Sequence, residues 1–279
     1  MEEGNNNKVA VVTGSSSGIG REISLMLART GFATYATMRN LAKGSGLRDI
    51  ADKEKLPLKI AQLDVTDDNS VKGAFQTIFD ESRRIDVLVN NAGYGLTGAL
   101  EDLGIDEIKS LYETNVFGLV RTTQSVLPIM RKQKAGTIVN ISSGLGRFGI
   151  ATTSAYVSSK FAVEGLSESM SYELEPFGIR TIIIEPGVIK TNFFNSSHLA
   201  KKSHDPKSSY IQLMKGMEGG MAKLIENAAD PEYVAKVVIG AIMDKNPKLR
   251  YFAGKDVEQI MGVKNKLSDE DFHNFLMQM

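Results

Sequence analysis

Seven short stretches rich in β-branched residues recur along the chain, at residues 9–13, 33–38, 59–65, 86–90, 137–141, 181–185 and 249–253. Several are continuous rather than alternating, as in Val87-Leu88-Val89 and Ile182-Ile183-Ile184. That is the pattern of strands buried on both faces. Between them the apolar spacing lengthens to that of a helix. Residues 19–30 carry apolar side chains at Ile19, Ile23, Leu25, Met26 and Leu27, and Gly31 then supplies a stop. Strand alternating with helix over nearly the whole length predicts an α/β fold, a doubly wound parallel sheet of seven strands with helices on both faces.

Two regions break the alternation. Residues 190–228 begin polar and turn Met-rich at Met214, Met217 and Met221. Residues 255–279 form a C-terminal extension in which Ser268 is placed to cap a helix ahead of Phe272, Phe275 and Leu276. Residues 1–8 read as a polar, acidic tail, unlike a signal or transit peptide. With no internal repeat or linker, residues 9–254 are expected to form one domain.

Composition removes several chemistries. The chain of 279 residues has no cysteine, which excludes disulfides, thiolate catalysis and thiolate metal sites. Its 33 basic and 33 acidic residues balance, which argues against nucleic acid as a partner. No apolar run approaches the roughly 20 residues of a membrane span, so a soluble, cytoplasmic protein is expected. His198 and His204 lack a nearby third ligand, and no metal site is expected.

The first strand runs into Thr13-Gly14-Ser15-Ser16-Ser17-Gly18-Ile19-Gly20 and then into a helix. Glycines at a strand-to-helix turn let the backbone approach a pyrophosphate, which the helix N-terminus stabilises. This is the start of a Rossmann-type dinucleotide site, although the spacing is not that of the general fingerprint. An NAD site places an acid at the end of the second strand, whereas arginine accommodates a 2′-phosphate. Met38-Arg39 stands there, so NADP(H) is predicted over NAD(H).

These features, with others further along, resemble the short-chain dehydrogenase/reductase family. The family's Thr-Gly-x-x-x-Gly-x-Gly turn is residues 13–20, and its Asn-Asn-Ala-Gly element is residues 90–93. Its Tyr-x-x-x-Lys pair is Tyr156 and Lys160, with Ser143 thirteen residues before the tyrosine. Its remaining asparagine matches Asn115, and its Pro-Gly after the sixth strand matches Pro186-Gly187. Residues 92–100 and 115–118 look more like the hydroxysteroid- and retinol-type members of the non-extended branch than like the acyl-carrier reductases.

The resemblance implies catalytic roles for Asn115, Ser143, Tyr156 and Lys160. It implies cofactor contacts at Gly14, Ser16, Ser17, Gly18, Ile19, Gly20 and Arg39. Asp64 and Val65 would flank the adenine, although Asp64 also reads as an ordinary turn residue. Asn91, Ala92 and Gly93 would lie along the ribose side, and Val188 and Thr191 near the carboxamide, after Pro186-Gly187. Lys160 would also hold the nicotinamide ribose, and Asn115 a water. The segment 190–228 would close over the substrate as a lid, and the helices holding residues 107–131 and 155–176 would build a homodimer or homotetramer.

The chemistry is coherent on its own terms. Residues four apart on a helix share a face, so Tyr156 and Lys160 are neighbours. A tyrosine hydroxyl titrates near ~10, and bringing it about three units lower needs roughly 4 kcal/mol of phenolate stabilisation. A nearby lysine cation is expected to supply energy of this order, and a positively charged nicotinamide to add to it. Tyr156 then exchanges a proton with a substrate oxygen, and Ser143 donates to the same oxygen. The substrate expected is a small lipophilic carbonyl or alcohol, covered by the lid methionines with Phe193 and Phe194, although the methionine spacing equally suits core packing. Two other readings stay open: a 3-oxoacyl thioester reductase of fatty-acid metabolism, and a non-catalytic NADP-sensing or scaffold protein on the same fold.

Overall fold

The continuous apolar runs become strands because each can bury both faces. A computed structural model describes residues 8–191, 193, 198–226 and 228–278. Strands β1 (Val9–Val12), β2 (Ala33–Met38), β3 (Leu58–Gln62) and β4 (Val87–Asn90) alternate with helices α1 (Gly18–Arg29), α2 (Ser45–Glu54) and α3 (Asp68–Ser82). After the two-residue strand β5 (Leu96–Thr97) come α4 (Ile105–Tyr112), a π-helical turn over Glu113–Phe117, and α5 (Gly118–Gln133). Then follow β6 (Gly136–Ile141), α6 (Ser154–Leu174), β7 (Ile179–Pro186) and a short β8 (His198–Leu199). The chain continues through α7 (Ile211–Glu226), α8 (Pro231–Met243), β9 (Arg250–Ala253), α9 (Lys255–Lys264) and α10 (Asp269–Met277).

The seven long strands form one parallel sheet in the order β3-β2-β1-β4-β6-β7-β9. The order reverses direction between β1 and β4, which is the switch point where doubly wound sheets bind ligands. Pleating sends alternate side chains of one strand to opposite layers. Ala10 and Val12 pack with Ile23 and Leu27 of α1 and Val234 and Val238 of α8. Val9 and Val11 pack instead with Phe75 and Ile78 of α3 and Val126 and Met130 of α5.

Three local departures from the sequence reading bear on the site. The third strand stops at Gln62 rather than at residue 65. Leu63 N–H still reaches Met38 O, but Asp64 N–H turns to Ser70 Oγ at 2.9 Å and the chain leaves the sheet. Strands β5 and β8, which no apolar run announced, pair in parallel (Leu96↔His198, Thr97↔Leu199) and tie the segment after β7 to the loop after β4. The C-terminal extension packs back onto the domain through Phe148, Val257, Met261 and Phe272. Its cap forms as expected, Ser268 Oγ accepting from Asp271 N–H at 3.1 Å. The tail before residue 8, together with Phe194 and the Met221 side chain, lies outside the described residues.

Candidate active site

Thr13 organises the turn after β1. Its Oγ1 accepts from both Asn91 and Ala92 N–H at 3.0 Å, while Asn91 Nδ2 donates to Thr13 O at 2.9 Å and Gly14 O at 3.2 Å. The ends of β1 and β4 are thereby locked together. Glycine is required where they meet: a Cβ on Gly14 would lie 2.9 Å from Ala92 Cα, and one on Gly20 would strike Asn91 Nδ2. Gly14 and Gly18 also have φ of 69° and 55°, a region that favours glycine. Ser17 precedes α1 without capping it by its side chain, so the first N–H groups of the helix remain for a ligand.

One cleft of about 2270 Å³ runs from this turn across the switch point. Pockets for single small ligands span roughly 300–1,000 Å³, so there is room for a dinucleotide and a second molecule together. Gly14, Ser16, Ser17, Gly18, Ile19, Arg39, Asp64, Val65, Asn91, Ala92 and Gly93 line its first part. Ser143, Tyr156, Lys160, Pro186, Gly187, Val188 and Thr191 line the next. Of the catalytic and cofactor residues named from sequence, Gly20 and Asn115 stand behind the wall, both buried. Asp64 adopts the turn foreseen as its alternative reading, Oδ1 accepting from Thr66 N–H and Oγ1 at 3.0 and 2.7 Å, and it still lines the cleft.

Sequence reasoning missed Lys43. It lies just before α2, exposed and cleft-lining like Arg39, and neither cation has an ion-pair partner among the described residues. A lysine in a polar loop carries no signal of its own, although this one follows Arg39 by only four residues.

The candidate centre joins three elements. Ser143 follows β6 and accepts from Leu145 N–H at 3.1 Å. Tyr156 and Lys160 lie one turn apart on α6, the tyrosine half-buried and the lysine 7 % exposed. Lys160 Nζ donates to Ile141 O at 2.9 Å and sits 5.7 Å from the centre of the Tyr156 ring. Asn115 occupies the π-helical turn, whose extra residue per turn reaims the side chain inward. Its Oδ1 accepts from Tyr94 N–H, and its Nδ2 donates to Tyr94 O at 3.0 Å and to Ser159 Oγ at 3.3 Å. The amide therefore clamps the loop after β4 to α6 at the residue before Lys160.

Electrostatics corrects one expectation. Burial pushes the Tyr156 hydroxyl up to about 12, with only a hydrogen bond from Ser143 pulling it down. Burial likewise lowers Lys160 to about 8, against the attraction of Glu164. Desolvation, which disfavours both charged forms, outweighs the attraction expected between lysine and phenolate. The protein's own groups thus keep the phenol protonated at neutral pH.

Behind Lys160 lies a buried charge network. Glu185 of β7 is fully buried, and Arg147 Nη1 reaches its Oε1 at 3.1 Å. Arg250 Nε sits 2.9 Å from Glu164 Oε2 and 3.6 Å from Glu185 Oε1, while its Nη2 meets Glu168 Oε2 at 2.6 Å. Burial and the neighbouring Glu164 raise the Glu185 carboxyl above its ordinary value, opposed by Arg147 and Arg250. Glu164 Oε1, Glu185 Oε2 and the Ser142 hydroxyl have no hydrogen-bond partner among the described residues.

Beyond Tyr156 the cleft becomes apolar. Phe193 packs edge-on against the Tyr156 ring at 5.9 Å, and Met217 and Leu224 of α7 line the opening. Met214 does not contribute, being fully buried in packing. The far wall comes from the C-terminal extension, through Val257, Ile260, Leu276 and Met277. No helix among the described residues is long and apolar enough to cross a membrane.

Comparison with known proteins agrees with this geometry. The sequence model described as "short chain dehydrogenase" matches residues 8–202. The chain is 39 % identical over 259 residues to the uncharacterized oxidoreductase YusZ of Bacillus subtilis, covering 91 % of each. It is 34 % identical to human 17-beta-hydroxysteroid dehydrogenase type 1, over 97 % of this chain and 84 % of that one. The crystal structure of a short-chain dehydrogenase from Streptomyces avermitilis superposes with a TM-score of 0.81 at 32 % identity, covering 94 % of this chain and 95 % of that one. The glycine turn at a sheet switch point, the Ser-Tyr-Lys centre and these matches together place the chain in the short-chain dehydrogenase family.

Proposed function

We propose that this oxidoreductase uses NADP(H) to interconvert a carbonyl and an alcohol on a lipophilic substrate. The observation that carries the reading is the single cleft. It aligns a glycine-rich turn and two cations that have no ion-pair partner among the described residues with Ser143, Tyr156 and Lys160 and with an apolar wall. The residues fit a dinucleotide: Gly14 and Gly18 keep the turn free of side chains, and α1 offers uncapped N–H groups. Arg39 and Lys43 would hold a 2′-phosphate, and Asp64 and Val65 would border the adenine.

The bound nicotinamide supplies or accepts the hydride. Ser143 donates a hydrogen bond to the substrate oxygen and orients it. Tyr156, protonated at neutral pH, passes its proton to that oxygen as negative charge develops there. Lys160 spends one of its three donors on Ile141 O, which leaves two for a ribose hydroxyl and for solvent. The apolar wall excludes water and selects a lipophilic body.

Ketones, aldehydes and 3-oxoacyl thioesters tested with NADPH and NADH decide the substrate class. Lipophilic ketones or aldehydes are the expected substrates. Thioesters turned over best would give the fatty-acid reading instead, and NADPH binding without turnover of any of them would give the sensing one. Replacing Arg39 or Lys43 with alanine is expected to raise KM for NADPH roughly tenfold, about 1.4 kcal/mol, with NADH unaffected. Equal effects on both cofactors would remove the two cations from 2′-phosphate recognition.

The same reading includes self-association. Helix α6 buries Val163, Ser167 and Leu174 against its own sheet, yet leaves Phe161, Leu166 and Tyr172 exposed, with Phe117 exposed just before α5. An apolar face of this kind is suited to a second copy of the chain. Light scattering should find a dimer or tetramer that Phe161→Glu with Tyr172→Glu disperses. A monomeric wild type at micromolar concentration would refute it.

A further inference from the structure

The turn that leaves β7 is stitched to the segment after β9 at two points. Gly187 N–H donates to Ala253 O at 3.2 Å, and Val188 N–H donates to Asp256 Oδ2 at 2.7 Å. The first bond extends the parallel ladder by one residue. Beyond Ala253 the chain turns into α9, so the acceptor that Val188 meets is a side chain, the second residue of that helix. An N–H withdrawn from water without an acceptor is costly, and the carboxylate supplies the part-buried Val188 N–H with one. Its position at the start of a helix suits a negative charge.

Two glycines leave the space that this carboxylate fills. A Cβ built at Gly187 or at Gly254 would collide with Asp256 Oδ1. Asp256 is only partly exposed and lines the cleft beside Pro186, Gly187 and Val188, the stretch that also carries Thr191 to the glycine turn. A solvated acid at a helix start needs neither glycine nor a backbone donor from another strand. The C-terminal extension therefore reaches the cleft twice, with an apolar wall on the substrate side and with one carboxylate at the turn after β7.

We propose that Asp256 is a positioning residue for the nicotinamide end of the cofactor site. It holds residues 186–188 at the depth at which a bound ring packs. The proposal rests on the dinucleotide reading of the cleft, and it assigns the α9 start a part in cofactor binding that the short-chain motifs do not contain.

Calorimetric titration of two probes tests it. NADPH spans the whole site, whereas 2′,5′-ADP lacks the nicotinamide half. Asp256→Ala is expected to weaken NADPH binding roughly tenfold, the range of one charge-assisted hydrogen bond, and to leave 2′,5′-ADP binding unchanged. Asp256→Asn keeps an oxygen for Val188 N–H and should restore most of the loss. NADPH binding unaltered in Asp256→Ala would overturn the proposal, as would an equal loss for both probes, which signals general damage to the fold. A wild type that binds neither probe would overturn the cofactor reading itself, and this proposal with it.

Discussion

Tyr156→Phe is expected to lower kcat by about 10²–10⁴, the range measured for removal of a general acid, while the dissociation constant for NADPH stays within about twofold. The substitution deletes one oxygen from a ring held in place by its helix and by Phe193 at 5.9 Å, so the cleft keeps its shape. What disappears is the proton. Ser143 can still donate a hydrogen bond to the substrate oxygen, but its hydroxyl is a far weaker acid than a phenol and cannot replace the transfer. Because burial holds Tyr156 up near 12, the acid is fully protonated across the neutral range. Loss of reduction at high pH is therefore expected to follow Lys160, held down to about 8, before it follows the tyrosine. Stopped-flow measurement of NADPH oxidation beside a binding titration separates the two effects. Turnover preserved in the phenylalanine variant would remove Tyr156 from the chemistry.

Arg250→Met is expected to cost about 3–5 kcal/mol of stability at pH 8, the penalty for leaving a buried charge without its partner. Arg250 contacts Glu164, Glu168 and Glu185 at once, and two of those acids are almost wholly buried. Arg147 still reaches Glu185, but only from one side. The loss depends on pH with a definite sign. Burial raises the folded-state Glu185 carboxyl above its unfolded value, so between those values the folded state binds more protons than the unfolded one. The stability this group contributes is complete below the ordinary carboxylate range and is lost as pH rises toward neutrality. Removing Arg250 raises the carboxyl further, so the gap between variant and wild type widens with pH. Urea unfolding at pH 5.5 and pH 8 reads this directly. A gap that is constant with pH would show that the carboxylates are not the cause.

The glycine turn was legible because strand, turn and helix are consecutive in the chain, and the demand for small residues at a tight turn is written locally. Tyr156 and Lys160 were legible as neighbours because four residues on a helix set their spacing before any tertiary contact forms, but only the family resemblance singled the pair out. Lys43, Asp256 and the apolar wall from α9 and α10 were not. An aspartate or a methionine in such segments is ordinary, and its meaning arises only when the sheet brings distant segments to one edge, whereas Lys43 lies only four residues from Arg39 and simply carries no signal as a lone loop lysine. Met214 and Met217 make the same point, since their shared spacing fits a helix face but one is packed inside and the other lines the cleft.

By itself the sequence indicated a parallel α/β sheet and a glycine turn between its first strand and first helix, both of which follow from local preference and spacing. The candidate side chains Ser143, Tyr156 and Lys160 came with the family resemblance. Tertiary structure decided the charge state at the centre, because desolvation depends on what surrounds a group and not on its neighbours in the chain. It also decided that the third strand releases Asp64 into the cleft, that a π-helical turn aims Asn115 at Tyr94 and Ser159, and that two arginines meet two buried acids behind Lys160. All of these depend on groups far apart in sequence, whose distances are set only when both layers of helices close on the sheet.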